Sequence, residues 1–223
     1  MAKAAIKRAI ALAPDYEDAY VLLGYHYTLE GLYFKATEAL DKAEKLGSKN
    51  PWLYLNRVPG YEKAGDKASV ARMYKKVVES DTDNHNALSG ALRGLAKYYA
   101  ENGNFEQADY WFREHIDVDP TAWSFGAYAY HLLFDRGDAD SSIKYGEKAI
   151  AEMNYGVGRF NLGCAYYLKW AEVLASDGKE EAQPFLDRAH DLNPNILKVV
   201  RIFSKNSRLA NAGESLREYV LNN

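Results

Sequence analysis

From Leu92 to Pro120 the chain reads LRGLAKYYAENGNFEQADYWFREHIDVDP, and this stretch sets the fold. Leu92, Leu95, Ala96 and Tyr99 fall at helical spacing, Asn102-Gly103-Asn104 interrupts them, and Phe105, Ala108, Phe112 and Ile116 restart the pattern. The spacing predicts a helix, a turn and a second helix. Gly103 suits the position just past a helix end, where a positive φ strains any residue with a Cβ, and Pro120 stands where the second helix should stop. One such hairpin cannot cover its own apolar face, so it needs neighbours of the same kind.

The turn glycine locates those neighbours. Gly31, Gly65, Gly103, Gly137 and Gly178 lie 34, 38, 34 and 41 residues apart, a period of 34 with two insertions. Five residues after the first four glycines stand the packing positions Ala36, Val70, Ala108 and Ser142, with Ala182 one place early after Gly178. Twelve residues further come Ser48, Thr82, Pro120, Asn154 and Pro194, all helix stoppers or cap formers.

These residues resemble the tetratricopeptide repeats, whose pattern is a large apolar residue, Leu-Gly, Tyr, Gly at the turn, Ala, an aromatic, Ala and Pro. Tyr20, Leu23-Gly24, Tyr27, Gly31, Ala36, Leu40 and Ala43 make one match; Leu162-Gly163, Tyr166, Ala182, Leu186, Ala189 and Pro194 make another. The resemblance covers roughly residues 1 to 194. Departures stand at Pro59, where a first helix should run, at His115 in place of a small residue, and at Gly126 in place of a large one. The resemblance implies an all-α, right-handed α–α superhelix, one solenoid over residues 1–223. Its parts are a partial repeat at 1–14, repeats at 15–50, 51–84, 85–122, 123–154 and 155–194, and capping helices at 195–223.

Local features refine this outline. Ala2, Ala9 and Pro14 keep the spacing of a second helix whose first helix is missing, so Ile6 and Ile10 are expected on an exposed apolar edge. That edge suggests a piece of a longer protein, or self-association through the N-terminal end. Pro59-Gly60 should end or kink a first helix early, and Asp81-Thr82-Asp83-Asn84-His85-Asn86 is the expected weak joint between a front and a back half. From Leu162-Gly163 to Gly178 is 15 residues where the family has 7, so that first helix should run about two turns longer, roughly 12 Å. Its stripe of Tyr166, Tyr167, Trp170, Val173 and Leu174 needs cover, which Ile196, Val199, Val200 and Phe203 of a C-terminal helix pair can supply.

Composition narrows the functional classes. Apolar residues make up 48% and charged residues 26%, ordinary for a soluble chain with a continuous core. The formal charge is −3 and the pI about 6.0, so no overall basic field recruits nucleic acid or anionic lipid. The 18 tyrosines against 8 phenylalanines fit inter-helix contacts whose hydroxyls reach water, or an aromatic-lined groove. A lone Cys164 in an apolar helix reads as a buried inert thiol and fits a reducing, cytoplasmic compartment better than a periplasmic one. No apolar run reaches about 18 residues, so no membrane insertion is expected, and no signal peptide precedes the first repeat.

Catalytic signatures are sparse. His26, His85, His115, His131 and His190 are scattered over different repeats without metal spacing, and no metal or cofactor is expected. Gly156-Val157-Gly158-Arg159-Phe160-Asn161 begins like a phosphate loop, yet lacks the third glycine and the preceding strand, and reads as a helix start. The expectation is a chain that is not an enzyme.

A groove is the better candidate. In the family the first helices line the concave surface, and the resemblance carries those positions to Asp18, Val21, Tyr25 and Thr28, to Trp52, Leu55 and Asn56, to Arg93 and Lys97, to Tyr128 and His131, and to Asn161. Arg93 and Lys97 share a helix face and, with His131 and Asn161, could hold acidic groups of a partner, unless neighbours such as Glu101 neutralise them. The subclass that grips chaperone tails uses a Lys/Asn, Asn, Lys/Arg ladder; starting at Tyr25 only Asn56 matches, and starting at Arg93 the ladder meets Tyr128 and Val157 instead. The expected function is a noncatalytic scaffold binding a peptide or helix of a partner protein in its groove. The alternative is an assembly or regulatory segment of a larger protein that makes its contacts through the solenoid edges.

Overall fold

All five glycines that set the sequence spacing adopt positive φ: Gly31 at 71°, Gly65 at 72°, Gly103 at 72°, Gly137 at 69° and Gly178 at 104°. Each ends or follows a helix, where the left-handed conformation is open to a residue without a Cβ. The computed structural model describes residues 2–222, and among the described residues there is helix and turn but no strand. Side-chain caps start many of the helices. Asp66, Asn84, Asn104, Asp138 and Asn195 each accept the backbone N–H three residues on, and Thr121 and Ser124 form a reciprocal capping box.

The chain divides into two compact units, the first ending at Asn102 and the second beginning at Gly103. The expected weak joint at Asp81–Asn86 is therefore not where the division falls. Side chains tie that loop down: Thr82 Oγ1 accepts the Asn84 N–H at 3.1 Å and Asn84 Oδ1 accepts the Ala87 N–H at 3.0 Å. Val77, Ala87 and Ala91 then bury together across it.

The first unit holds α1 (Ala2–Leu12), α2 (Glu17–Leu29), α3 (Tyr33–Lys45), α4 (Trp52–Leu55), α5 (Val58–Ala64), α6 (Lys67–Glu79) and α7 (His85–Glu101). Helices α2 and α3 form the hairpin that the Leu-Gly signature predicts: a Cβ on Gly24 would stand 2.6 Å from Leu40, so the glycine is what lets the two helices close. One expectation is corrected at α1. Ile6 is 7% exposed and packs with Leu23 and Ala39, with Ile10 and Tyr27 alongside, because α2 and α3 offer it the apolar face that the absent first helix does not. The early break expected around Pro59-Gly60 is found, a few residues upstream. The first helix of the second repeat breaks at Asn56–Arg57, and Pro59 lies in the first turn of α5, where a missing N–H costs nothing. Arg57 at the break is held by Asp41 and Glu44 of α3, both at 2.7 Å.

The second unit holds α8 (Phe105–Val118), α9 (Ala122–His131), which continues as a π-helical turn Leu132–Arg136, then α10 (Ala139–Glu152), α11 (Gly156–Ser176), α12 (Lys179–Leu192), α13 (Ile196–Phe203) and α14 (Ala210–Asn222). Helix α11 has 21 residues against 13 in α2, an excess of about two turns or ~12 Å, as its sequence predicts. Its extra length is covered as expected: Tyr167, Trp170 and Ala171 share one core with Val199, Val200, Phe203, Leu209, Ala212 and Leu216 of the C-terminal pair. Trp170 meets Tyr219 edge to face with centroids 5.6 Å apart, and the Asn206 side-chain amide donates to the Phe134 carbonyl of the π-turn at 2.7 Å.

Cys164 lies fully buried in that core, and burial pushes its thiol up to about 12. A thiol without its thiolate is a poor nucleophile. Native protein at pH 8 is therefore expected to leave Cys164 unlabelled by a maleimide over hours, and denatured protein to label within minutes. Prompt labelling of the native chain would contradict the packing of α11.

Candidate functional site

Two clefts collect residues that the groove reading singled out in the first unit, and in the second unit other residues are the exposed ones. The first cleft lies along α2, which is apolar nearly all round and so keeps large apolar side chains on its outer face. Asp18, Val21, Leu22 and Tyr25 line one wall, and Asn50, Trp52 and Asn56 supply the other, enclosing about 350 Å³. Its polar floor is fixed: Asn50 donates its side-chain amide to Asp18 Oδ1 at 2.8 Å and accepts the Trp52 N–H at 3.0 Å, while Thr28 donates to the Asn56 carbonyl at 3.1 Å. Tyr25 is 43%, Leu22 47% and Trp52 39% exposed, three large apolar surfaces converging on one recess. Preformed concavity, apolar walls and a few held polar groups are what a ligand site needs.

Arg93 and Lys97 line a different cleft, of about 490 Å³, between α5, α6 and α7. Lys97 is drawn to Glu101 at 3.7 Å, an exposed i,i+4 pair, so part of the expected positive charge is neutralised on its own helix. Arg93 is exposed, and among the described residues no carboxylate lies within 4.0 Å of it.

In the second unit the groove assignment is corrected. Tyr128 and His131 are each 1% exposed. The Tyr128 hydroxyl accepts from Arg113 Nε at 3.2 Å, its ring stacks on Phe112 at 5.4 Å, and burial raises its pKa. His131 stacks on Phe112 at 5.0 Å, with Nδ1 2.8 Å from Asp135 Oδ2 and Nε2 3.4 Å from Asp109 Oδ1. The π-turn is the cause. From Glu17 to Gly31 is 14 residues, whereas from Ala122 to Gly137 is 15. Bonding from i to i+5 takes up the extra residue, so counting back from Gly137 misplaces the helix face by one position, about 100°.

Counted from the helix start, Trp123 and Tyr130 occupy the second and ninth places of α9 that Asp18 and Tyr25 occupy in α2. Both are exposed, Trp123 at 64%, and the Trp123 ring sits 5.0 Å from Tyr155. Val157 and Leu197, the second residues of α11 and α13, are also exposed. The cap Thr121 is the sequence signal that could have placed Trp123 and Tyr130. Asn161 is half-buried on α11, beside Phe160, whose ring carries Lys198 Nζ at 4.3 Å. Among the described residues no group of three or more His, Cys, Asp or Glu side chains is arranged to hold a metal ion.

No protein-family model and no curated protein sequence matches the chain. Solved structures do. YrrB, described as a TPR protein with an unusual peptide-binding site, superposes with a TM-score of 0.66 at 16% identity over 89% of this chain and 97% of its own. A tetratricopeptide repeat protein from Parabacteroides merdae gives 0.58 at 16% identity over 97% and 89%. The pilF protein of Pseudomonas aeruginosa gives 0.58 at 18% identity over 91% of each chain. At such identities the likeness is one of fold: the chain folds as a tetratricopeptide-repeat solenoid.

Proposed function

We propose that the chain is a noncatalytic protein-interaction scaffold that binds an extended or helical peptide segment of a partner protein. The α2–α4 cleft carries this reading, because it joins exposed Tyr25, Leu22 and Trp52 to the anchored Asn50–Asp18 pair. The fold shared with YrrB, itself described as having a peptide-binding site, supports it. Helix-borne side chains are ordered before the ligand arrives, so the bound segment bears most of the ordering cost. Aromatic surface supplies affinity, the Asn56 amide sets register, and Arg93 favours acidic positions on the peptide. No helix among the described residues is long and apolar enough to cross a membrane.

Selection of a displayed random-peptide library on the chain tests the proposal. Peptides so selected are expected to lose roughly 10- to 100-fold in affinity when Tyr25 and Trp52 are both changed to alanine, the scale of two aromatic hot spots. Both side chains are partly exposed, so the far-ultraviolet dichroism should not change. Undiminished binding by every selected peptide would remove the α2–α4 cleft as the site.

A further inference from the structure

The two turns that α11 adds to an ordinary first helix do more than meet the capping pair. Trp170 and Leu174 lie in that added length, since a first helix of family length would turn 7 residues after Gly163. Helix α13, with 8 residues against the 21 of α11, is too short to run beside all of it. Helices α12 and α14 both pack on α11 but not closely on each other. Between them lies a cleft of about 410 Å³, more enclosed than the α2–α4 cleft and made only of residues of the second unit. None of the groove positions carried over from the repeat family borders it.

The floor of this cleft is apolar. Trp170 and Leu174 come from α11, Leu186 from α12, and the Tyr219 ring of α14 meets Trp170 edge to face. Trp170 is 4% and Leu186 2% exposed, so core packing holds the floor in place before any ligand arrives. The rim is polar, with Lys179 and Gln183 on the α12 side and Glu218 on the α14 side. Lys179 and Glu218 thus bring opposite charges to opposite sides of an aromatic floor. Among the described residues neither has an ion-pair partner within 4.0 Å.

Three properties select a ligand. A volume of this order holds a small molecule. An aromatic floor favours a flat ring, which gains buried area and edge-to-face contact there. A cation opposite an anion gives the rim no net charge, so a simple acid or a simple amine pairs with one side and leaves the other unmatched, whereas a zwitterion pairs with both. We propose that the cleft is a small-molecule site for a zwitterionic aromatic compound, of the class of the free aromatic amino acids: the ring lies against Trp170 and Tyr219, the carboxylate pairs with Lys179 and the ammonium with Glu218. Such an occupant bridges two helices that otherwise do not pack together, and stabilises the capped end of the second unit by mass action. The site is independent of the peptide-scaffold reading.

The probe is 5-fluoro-L-tryptophan, titrated against the full chain and followed by fluorine-19 NMR. Saturable line broadening is expected, with a dissociation constant of roughly 0.01 to 1 mM for a ligand of this size. Lys179→Glu and Glu218→Lys, both at exposed positions, should each weaken binding roughly three- to tenfold. 5-Fluoroindole, which carries neither charge, and 5-fluorotryptamine, which lacks the carboxylate, should bind more weakly by the same order. Gln183→Trp, at an exposed position on the rim, should fill the cleft and abolish binding while the far-ultraviolet dichroism stays unchanged. The Tyr25→Ala/Trp52→Ala variant should bind the probe as the native sequence does. Broadening that does not saturate up to several millimolar, equal binding of 5-fluoroindole, full binding by Gln183→Trp, or loss of binding in Tyr25→Ala/Trp52→Ala would each overturn the assignment. None of these outcomes bears on peptide binding in the α2–α4 cleft.

Discussion

Replacing Gly163 by valine is expected to abolish the native fold of the second unit. A Cβ at this position would stand 2.6 Å from Asn193 Cβ, 3.3 Å from the Asn193 nitrogen and 3.4 Å from the Ala189 carbonyl oxygen. Two of those atoms are backbone, so no rotamer change relieves the clash. The link from α12 to α13 would have to lift off α11, and with it the buried hydrogen bond that the Tyr167 hydroxyl donates to the Asn193 carbonyl at 2.9 Å. Overpacking costs roughly 1–3 kcal/mol and a stranded buried polar group roughly another 1–3, together a large share of the ~5–15 kcal/mol that holds a domain folded. Urea melts followed by circular dichroism should show the loss. A midpoint unchanged from that of the native sequence would refute the close approach of α11 to this link. Tyr167→Phe, which removes only the hydroxyl, should cost far less.

His131→Leu is expected to destabilise the same unit by about 1–3 kcal/mol, the usual cost of leaving a polar group without its partner in a buried setting. Asp109 has only 14% of its side chain exposed, and its remaining partner would be Arg136, 3.6 Å away. Asp135 would lose the 2.8 Å contact that bridges the π-turn. The sign of the effect separates polar anchoring from plain packing, because leucine restores apolar volume. Adding Asp109→Leu to His131→Leu should recover part of the loss, since apolar replacement of both partners strands neither. If the single substitution shifts the unfolding free energy by less than about 1 kcal/mol, the cluster does not stabilise the unit as described.

Much of the fold was legible in the sequence because its bends require a residue that only glycine supplies without strain. Gly31, Gly65, Gly103, Gly137 and Gly178 mark those bends, and all have the positive φ that makes them necessary. The long α11 was legible for a similar reason: the distance from Gly163 to Gly178 is countable, and a stripe containing Trp170 demands cover. Half of the candidate site was not legible. A π-turn has no residue type of its own, so Tyr128 and His131 were assigned to a face that Trp123 and Tyr130 occupy. The burial of Ile6 was not legible because Leu23 and Ala39, which cover it, belong to the following hairpin and leave no mark in the spacing of α1 itself. Arg93 and Lys97 were placed on a shared face correctly, but the recess they border depends on a break at Asn56–Arg57 that Pro59 only hinted at.

That break bears on how tandem arrays diversify. The severed rod at Asn56–Arg57 opens space in front of α7 while the rod that keeps its continuity, α6, still ties the third repeat to the second. A new hollow therefore arises from damage to one module's interior, with no change needed in the residues that come to border it. In such a chain the irregular copy, rather than the best-kept one, is where a distinctive partner preference can originate.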